Sequence, residues 1–145
     1  MSLLLETQQA YARCLADFLT YIYSQKHSAT LGEAYRTDEQ ALIHALGAEG
    51  RLRLAQYLEM TLGGEWHGLA LAVANNGKAT GILLSLHRDR LAVDLNIFSP
   101  DGRLLETVDD LRPLGEYWET LDPRARWGGR FKDADHFSFE WGGRR

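Results

Sequence analysis

The chain has 145 residues and a net charge of −4, enough for one core of ordinary size and without the basic stripe of a nucleic-acid-binding surface. Its apolar share of 45% and charged share of 25% are those of an average globular protein. A single cysteine, Cys14, excludes a disulfide framework and zinc held by cysteines.

The segment from Ser2 to Ser24 predicts one amphipathic helix, with Leu4, Tyr11, Leu15, Phe18, Leu19 and Ile22 near helical spacing and Glu6, Gln9, Arg13 and Asp17 between them. Its polar face lacks the Lys/Arg enrichment of a membrane-surface helix, so packing on the core is expected. Leu3-Leu4-Leu5 has no basic residue before it and Glu6 behind it, unlike a secretory leader. No stretch is apolar enough, for long enough, to span a bilayer. Synthesis and folding in the cytoplasm are expected.

A loop over Gln25 to Thr30 precedes an extended segment from Leu31 to Arg36. Thr37-Asp-Glu-Gln40 is a capping-box pattern that opens a short helix to about Leu46, broken at Gly47 and Gly50. Leu52, Leu54, Ala55, Leu58 and Leu62 predict a further helix that Gly63-Gly64 ends. Trp66 to Ala74 reads as one more, stopped by Asn75-Asn76-Gly77.

The second half changes period. Leu91, Val93, Leu95 and Ile97 alternate with Ala92, Asp94 and Asn96, which predicts a strand. Ser99-Pro-Asp-Gly102 is a turn, so Arg103 to Glu106 should return as a hairpin partner. Asp109-Asp110 start a helix to about Leu121, with Leu114, Tyr117, Trp118 and Leu121 buried. Trp127 to Phe131 reads as a loop, and His136 to Trp141 as a last alternating strand. Helices first and a small antiparallel sheet later indicate an α+β fold.

His87 and Asp94 stand seven residues apart, and His136 lies near the C-terminus. Two imidazoles and a carboxylate form the ligand set of a catalytic zinc site whose fourth position stays open for water. Strand phase supports the grouping. Asp94 shares its face with the small Ala92, and His136 shares its face with Ser138 and Glu140, while Phe137, Phe139 and Trp141 point the other way. Hydrolysis also needs a base and a positive partner for the oxyanion. Asp133, three residues before His136, is the natural base; Asp135 would point away on an extended segment. Arg36 is the candidate for the oxyanion. His27, His44 and His67 lack such partners. Trp127 can stack on a sugar or peptide, or serve the core.

These residues carry a resemblance. Ser85-Leu-His87-Arg-Asp-Arg90-Leu-Ala92-Val-Asp94 resembles the serine-x-histidine-x-x-glycine-x-alanine-x-aspartate motif of the M15 zinc peptidases. That family includes D-alanyl-D-alanine carboxypeptidases and dipeptidases, and phage L-alanyl-D-glutamate endolysins. Asp133-Ala-Asp-His136-Phe137 is similar to its second motif. Trp127-Gly-Gly-Arg-Phe131 resembles a run common in the phage enzymes, and Glu33-Ala-Tyr35-Arg36-Thr37-x-x-Gln40 resembles the motif of the transition-state arginine.

The resemblance runs from about Leu31 to Trp141. It implies zinc held by His87, Asp94 and His136, with Asp133 as base and Arg36 at the oxyanion. Ser85 and Gln40 would help position the substrate, and Trp127, read by residue type, is a further candidate for it. The implied fold is the small α+β domain shared with the hedgehog signalling domain. The chain itself reads as one domain over residues 1–145, with an N-terminal packing helix over 1–24 and a helical insertion over 51–80. Arg90 departs from the motif, standing where the family has glycine, and either lines the cleft or points to solvent. The expected function is cleavage of peptidoglycan stem peptides by a monomeric phage or prophage endolysin, at a bond such as L-Ala–D-Glu. Such an enzyme reaches the wall in the periplasm after holin-mediated release. The alternatives are a D-alanyl-D-alanine carboxypeptidase or dipeptidase, and a non-catalytic zinc-containing wall-binding module.

Overall fold

The structure, a computed structural model, describes residues 2–64 and 85–144 together with Gly68 and Ala72. The fold is α+β, with helices and a small antiparallel sheet. The chain divides into two compact units. One joins Met1–Arg36 to Leu86–Arg145, and the other is Thr37–Ser85.

In the first unit, α1 runs over Leu3–Ser24, capped by Ser2, whose hydroxyl accepts from the Leu5 N–H at 3.3 Å. Thr7, Tyr11, Phe18 and Ile22 form its buried stripe, with Leu4, Leu15 and Leu19 at the margins. Strand β1 (Ser28–Leu31) starts three residues before the predicted extended segment. Ser28, Ala29 and Thr30 are too small and polar to announce a strand. Their pairing with β2 (Ala92–Phe98), from Ser28 opposite Phe98 to Leu31 opposite Leu95, makes them one.

Strand β2 is the centre of the sheet. Leu91, Val93, Leu95 and Ile97 are buried as the alternation predicts, while Asp94 and Asn96 are half-buried on the other face. The Ser99–Gly102 turn, with Gly102 at φ 84°, returns the chain as β3 (Leu104–Leu105), which pairs with Ile97 and Phe98. Helix α4 (Val108–Leu121) begins a residue before its predicted start because Thr107 and Asp110 form a capping box. Its buried face is Leu111, Leu114, Gly115 and Trp118; Tyr117 and Leu121, expected there, are only partly buried.

The predicted loop at Trp127 is instead the end of strand β4 (Ala125–Trp127), followed by a short 3₁₀ turn over Gly128–Phe131. Three residues carry too little alternation to be seen in sequence, and pairing with β5 (His136–Phe139) decides the outcome. β5 stops at Phe139, two residues short of the predicted end, and Trp141 bridges to Arg144. The sheet order is β1-β2-β5-β4, with β3 also on β2. Phe18, Phe137, Phe139, Trp118 and Trp127 fill the core, and the Tyr11 ring stands edge-on to Phe139 at 5.3 Å. The Trp118 indole donates to the Arg126 and Ser138 carbonyls at 3.1 and 3.3 Å, which satisfies its one polar atom.

In the second unit, α2 (Asp38–Ala45) carries the predicted capping box of Thr37 and Gln40. The break before α3 (Gly47–Leu62) falls at Gly47, with φ 67°, whereas Gly50 continues the helix. Gly63, at φ 87°, ends it. The helix expected over Trp66 to Ala74 lies outside the described residues apart from Gly68 and Ala72.

Gly115 is where α4 meets the sheet. A Cβ there would lie 2.0 Å from the Trp127 ring, so only glycine permits this approach. Alanine gains about 1 kcal/mol of helix propensity at a glycine site, but overpacking costs about 1–3 kcal/mol. Gly115→Ala is expected to lower the urea midpoint; a midpoint at or above that of the parent would show that the ring yields without cost.

Candidate metal centre

Each of the three candidate ligands is placed by a different backbone device. His87 sits in a tight turn, where the Leu86 carbonyl accepts from Asp89 and Leu91 at 3.1 and 3.0 Å and the His87 carbonyl accepts from Arg90 at 3.2 Å. The turn requires Arg90 at φ 55°, the left-handed region that glycine enters freely and other residues enter at about 1–2 kcal/mol. Arg90 is exposed, and its guanidinium lies over the half-exposed Tyr35 ring at 4.9 Å. That contact contributes about 0.5–1 kcal/mol.

Asp94 lies within β2, and its cross-strand partner on β5 is His136. The Asp94 N–H donates to the Glu33 carbonyl and its carbonyl accepts from the Gly32 N–H, both at 2.8 Å. Both main-chain groups are thus spent toward β1. Toward β5, Asp94 and His136 form a non-hydrogen-bonded pair, the kind in which side chains approach most closely.

The result is a compact triangle. Asp94 Oδ1 is 3.0 Å from His136 Nδ1 and 3.3 Å from His87 Nε2, and the two nitrogens are 3.3 Å apart. Metal–ligand bonds of about 2.0–2.1 Å in a tetrahedron place ligand atoms about 3.3–3.4 Å from one another. Three lone-pair atoms at this spacing repel unless shared protons or a cation lie among them. The residues therefore fit a divalent metal ion, and they are the one such group among the described residues. His87 and His136 are buried. Burial opposes the Asp94 charge, yet hydrogen bonds from His136 and His87 outweigh it and hold the carboxyl well below the usual range.

Arg36 is buried too, at 4% exposure. Its Nε donates to Glu33 Oε1 at 2.8 Å, a terminal nitrogen donates to Oε2, and its main-chain N–H reaches the His87 carbonyl at 3.4 Å. The Glu33 hydrogen bond raises the Arg36 pKa against the effect of burial, and the charges of Asp94 and Asp133 add to it. Asp133 is exposed, and its charge is among those that raise the Arg36 pKa.

No protein-family model and no curated protein matches this chain.

Gly128 explains part of the tryptophan–glycine–glycine run. The Asp133 N–H donates to the Gly128 carbonyl at 3.0 Å, and a Cβ on Gly128 would fall 2.1 Å from the Asp133 carbonyl and 2.7 Å from the His136 Cβ. Only glycine leaves room for the turn that carries the acid and the histidine. Trp127 itself is fully buried, and its indole donates to the Ala134 carbonyl at 2.8 Å. It braces the site from within the core, so the substrate contact read from sequence is corrected to a packing role.

Asp135 lines a cavity of about 240 Å³ with Leu95, Asn96, Leu104, Leu105 and Glu106, none of which is a metal-ligand candidate. Gln40 and Ser85 belong to the second unit, where the Gln40 side chain accepts from the Thr37 N–H at 2.9 Å as part of the helix cap. His27 and His44 join no metal-ligand group, and His67 lies outside the described residues.

Two residues of the quoted motifs carry no role in the sequence reading. Phe131, 46% exposed, brings its ring to 6.3 Å from the His136 ring. Glu33, which opens the arginine motif, stands three residues before Arg36, an ion-pair spacing.

Glu33 is also held low, by its hydrogen bond to Arg36 first and against its own burial. With Glu33 and Asp94 both depressed in the fold, the unfolded chain binds more protons below the ordinary carboxylate range of about 4. The metal-free protein should keep this stability above that pH and lose it as pH falls further. A melting temperature indifferent to acid between about pH 4 and pH 2 would contradict the assignment. His136→Ala is expected to abolish stoichiometric metal binding by equilibrium dialysis; retention of one ion per chain would remove His136 from the ligand set.

Proposed function

We propose that the chain is a zinc-dependent peptidase of bacterial peptidoglycan, of the phage or prophage endolysin type, which cuts a stem-peptide bond such as L-Ala–D-Glu. The observation that carries this reading is the His87–Asp94–His136 triangle near tetrahedral spacing. The resemblance of the motifs to the M15 zinc peptidases supports the choice of zinc and of substrate. Three protein ligands leave one coordination position open, as in catalytic and not structural zinc sites.

Zinc bound there supplies Lewis acidity toward the scissile carbonyl and makes water acidic enough to attack near neutral pH. Asp133 serves as general base. It is exposed enough to meet a water molecule, and it then returns the proton to the leaving amine. Arg36 faces the negative charge that develops on the carbonyl oxygen, where a prealigned cation in a partly dry site acts strongly. His87 and His136 are buried, whereas Asp133 is exposed. Phe131 forms part of the rim.

Among the described residues no helix is long and apolar enough to cross a membrane.

Asp133→Ala should retain zinc and lose about 10²–10⁴-fold in lysis of outer-membrane-permeabilised cells. Near-parent activity would remove Asp133 as the base. Digestion of purified sacculi should give new N-terminal D-Glu or another internal stem terminus. Release of free D-alanine alone would replace the endopeptidase with the carboxypeptidase alternative, and zinc binding with no cleavage at all would leave a wall-binding module.

A further inference from the structure

We infer that Glu33 is the positioning residue for Arg36: it fixes the plane of the guanidinium beside the His87–Asp94–His136 triangle so that the remaining N–H groups meet the substrate oxyanion. The inference rests on the peptidase reading, because it concerns how that reaction's cation is aimed.

An arginine as buried as Arg36 must be paired, since an uncompensated buried charge costs several kcal/mol. Its pairing is also geometrically specific. Nε donates to one Glu33 oxygen at 2.8 Å and one terminal nitrogen donates to the other, so a single edge of the planar fork is consumed. Two contacts fix a plane where one would leave it to swivel. The other terminal nitrogen keeps its two N–H groups for a different acceptor. The side chains are 5% and 24% exposed, so water competes little for this contact.

The main chain shows what the arginine is aimed from. The Glu33 carbonyl accepts the Asp94 N–H at 2.8 Å, Gly32 donates to the Asp94 carbonyl at 2.8 Å, and Arg36 donates to the His87 carbonyl at 3.4 Å. Residues 32–36 thus form a strap hydrogen-bonded to the main chain of two of the three ligands. Glu33 belongs to both parts: its carbonyl holds the ligand strand, and its carboxylate holds the guanidinium. Glu33 thus links the strand of Asp94 directly to the guanidinium.

A structural ion pair would have the same bonds, so the test must read orientation. The zinc-loaded parent, Glu33→Gln, Glu33→Asp, Arg36→Ala and the double variant Glu33→Gln/Arg36→Ala would be compared on a stem peptide with kcat and KM resolved. Glutamine is isosteric but turns an N–H toward the arginine, which ends the two-point clasp. We expect Glu33→Gln to bind zinc one-to-one and to lose about 10²-fold in kcat, as misaligned groups do, with KM within about threefold. Glu33→Asp should recover part of the loss. In the Arg36→Ala background the same glutamine should cost at most about twofold, because a residue acting through Arg36 has nothing left to act on.

A kcat within about twofold of the parent for folded, zinc-loaded Glu33→Gln would overturn the proposal, as would an undiminished loss in the absence of Arg36. A second measurement needs no turnover. The Arg36 Nε–H should give a sharp, slowly exchanging ¹⁵N-resolved proton signal in the parent and lose it in Glu33→Gln, and an unchanged signal would also overturn it. If the parent binds zinc but cuts no stem peptide, the peptidase reading is the one that fails; an active parent with an indifferent Glu33→Gln sinks the positioning role alone.

Discussion

Everything near the candidate centre depends on the way Asp94 divides its hydrogen bonds. Both of its main-chain groups are committed to the segment after β1, so its side chain meets β5 across the narrow kind of strand pair. A one-residue slip of β2 would turn Asp94 into the core and bring Val93 or Leu95 to face the histidines. The burial of Leu91, Val93, Leu95 and Ile97 on the opposite face penalises that slip heavily, at about 1.5–3 kcal/mol for each side chain exposed. The core thus fixes the register, and the register fixes the site.

Much of this was legible because the alternation in β2 and β5 is strong. Period-two patterning assigned Asp94 and His136 to polar faces before any contact was known, and the Thr37–Gln40 cap was readable because its chemistry is local. The failures share a cause. β1 and β4 are short and become strands only through partners far away in sequence, so Ser28–Thr30 and Trp127 were read as loops. For Trp127 the residue type allows either a substrate contact or a core role. Only the packing of its ring on α4 shows that the glycines make room for it and for the turn after it. Glu33 has no role of its own in the motif as read, because an acid near an arginine is commonplace on surfaces, and burial alone separates this pair from those.

The same arrangement explains how a modest fold tolerates so many buried polar groups. His87, Asp94, His136, Arg36 and Glu33 each have a partner of opposite or complementary character, so desolvation is offset locally. Aromatic packing behind them, from Phe18 through Trp118 to Phe139, supplies a stiff backing whose members contact one another edge-on or tilted. Rigid support of this kind is what keeps catalytic atoms within tenths of an ångström of a working geometry.

The hydrogen bond from Arg36 to the His87 carbonyl has a topological meaning as well. It fastens the chain where it leaves the first unit to the place where it returns, and all of Thr37–Ser85 lies between these two points. To the first unit, that whole segment is a loop whose ends are already tied. Loop-closure entropy grows only with the logarithm of length, about 0.6 kcal/mol per doubling, so a loop of roughly 50 residues costs only about 2 kcal/mol more than a tight turn. The distance in sequence between the arginine and the first histidine is therefore nearly free to drift. Lineages can lengthen, shorten or exchange what hangs there while the ligand triangle keeps its shape.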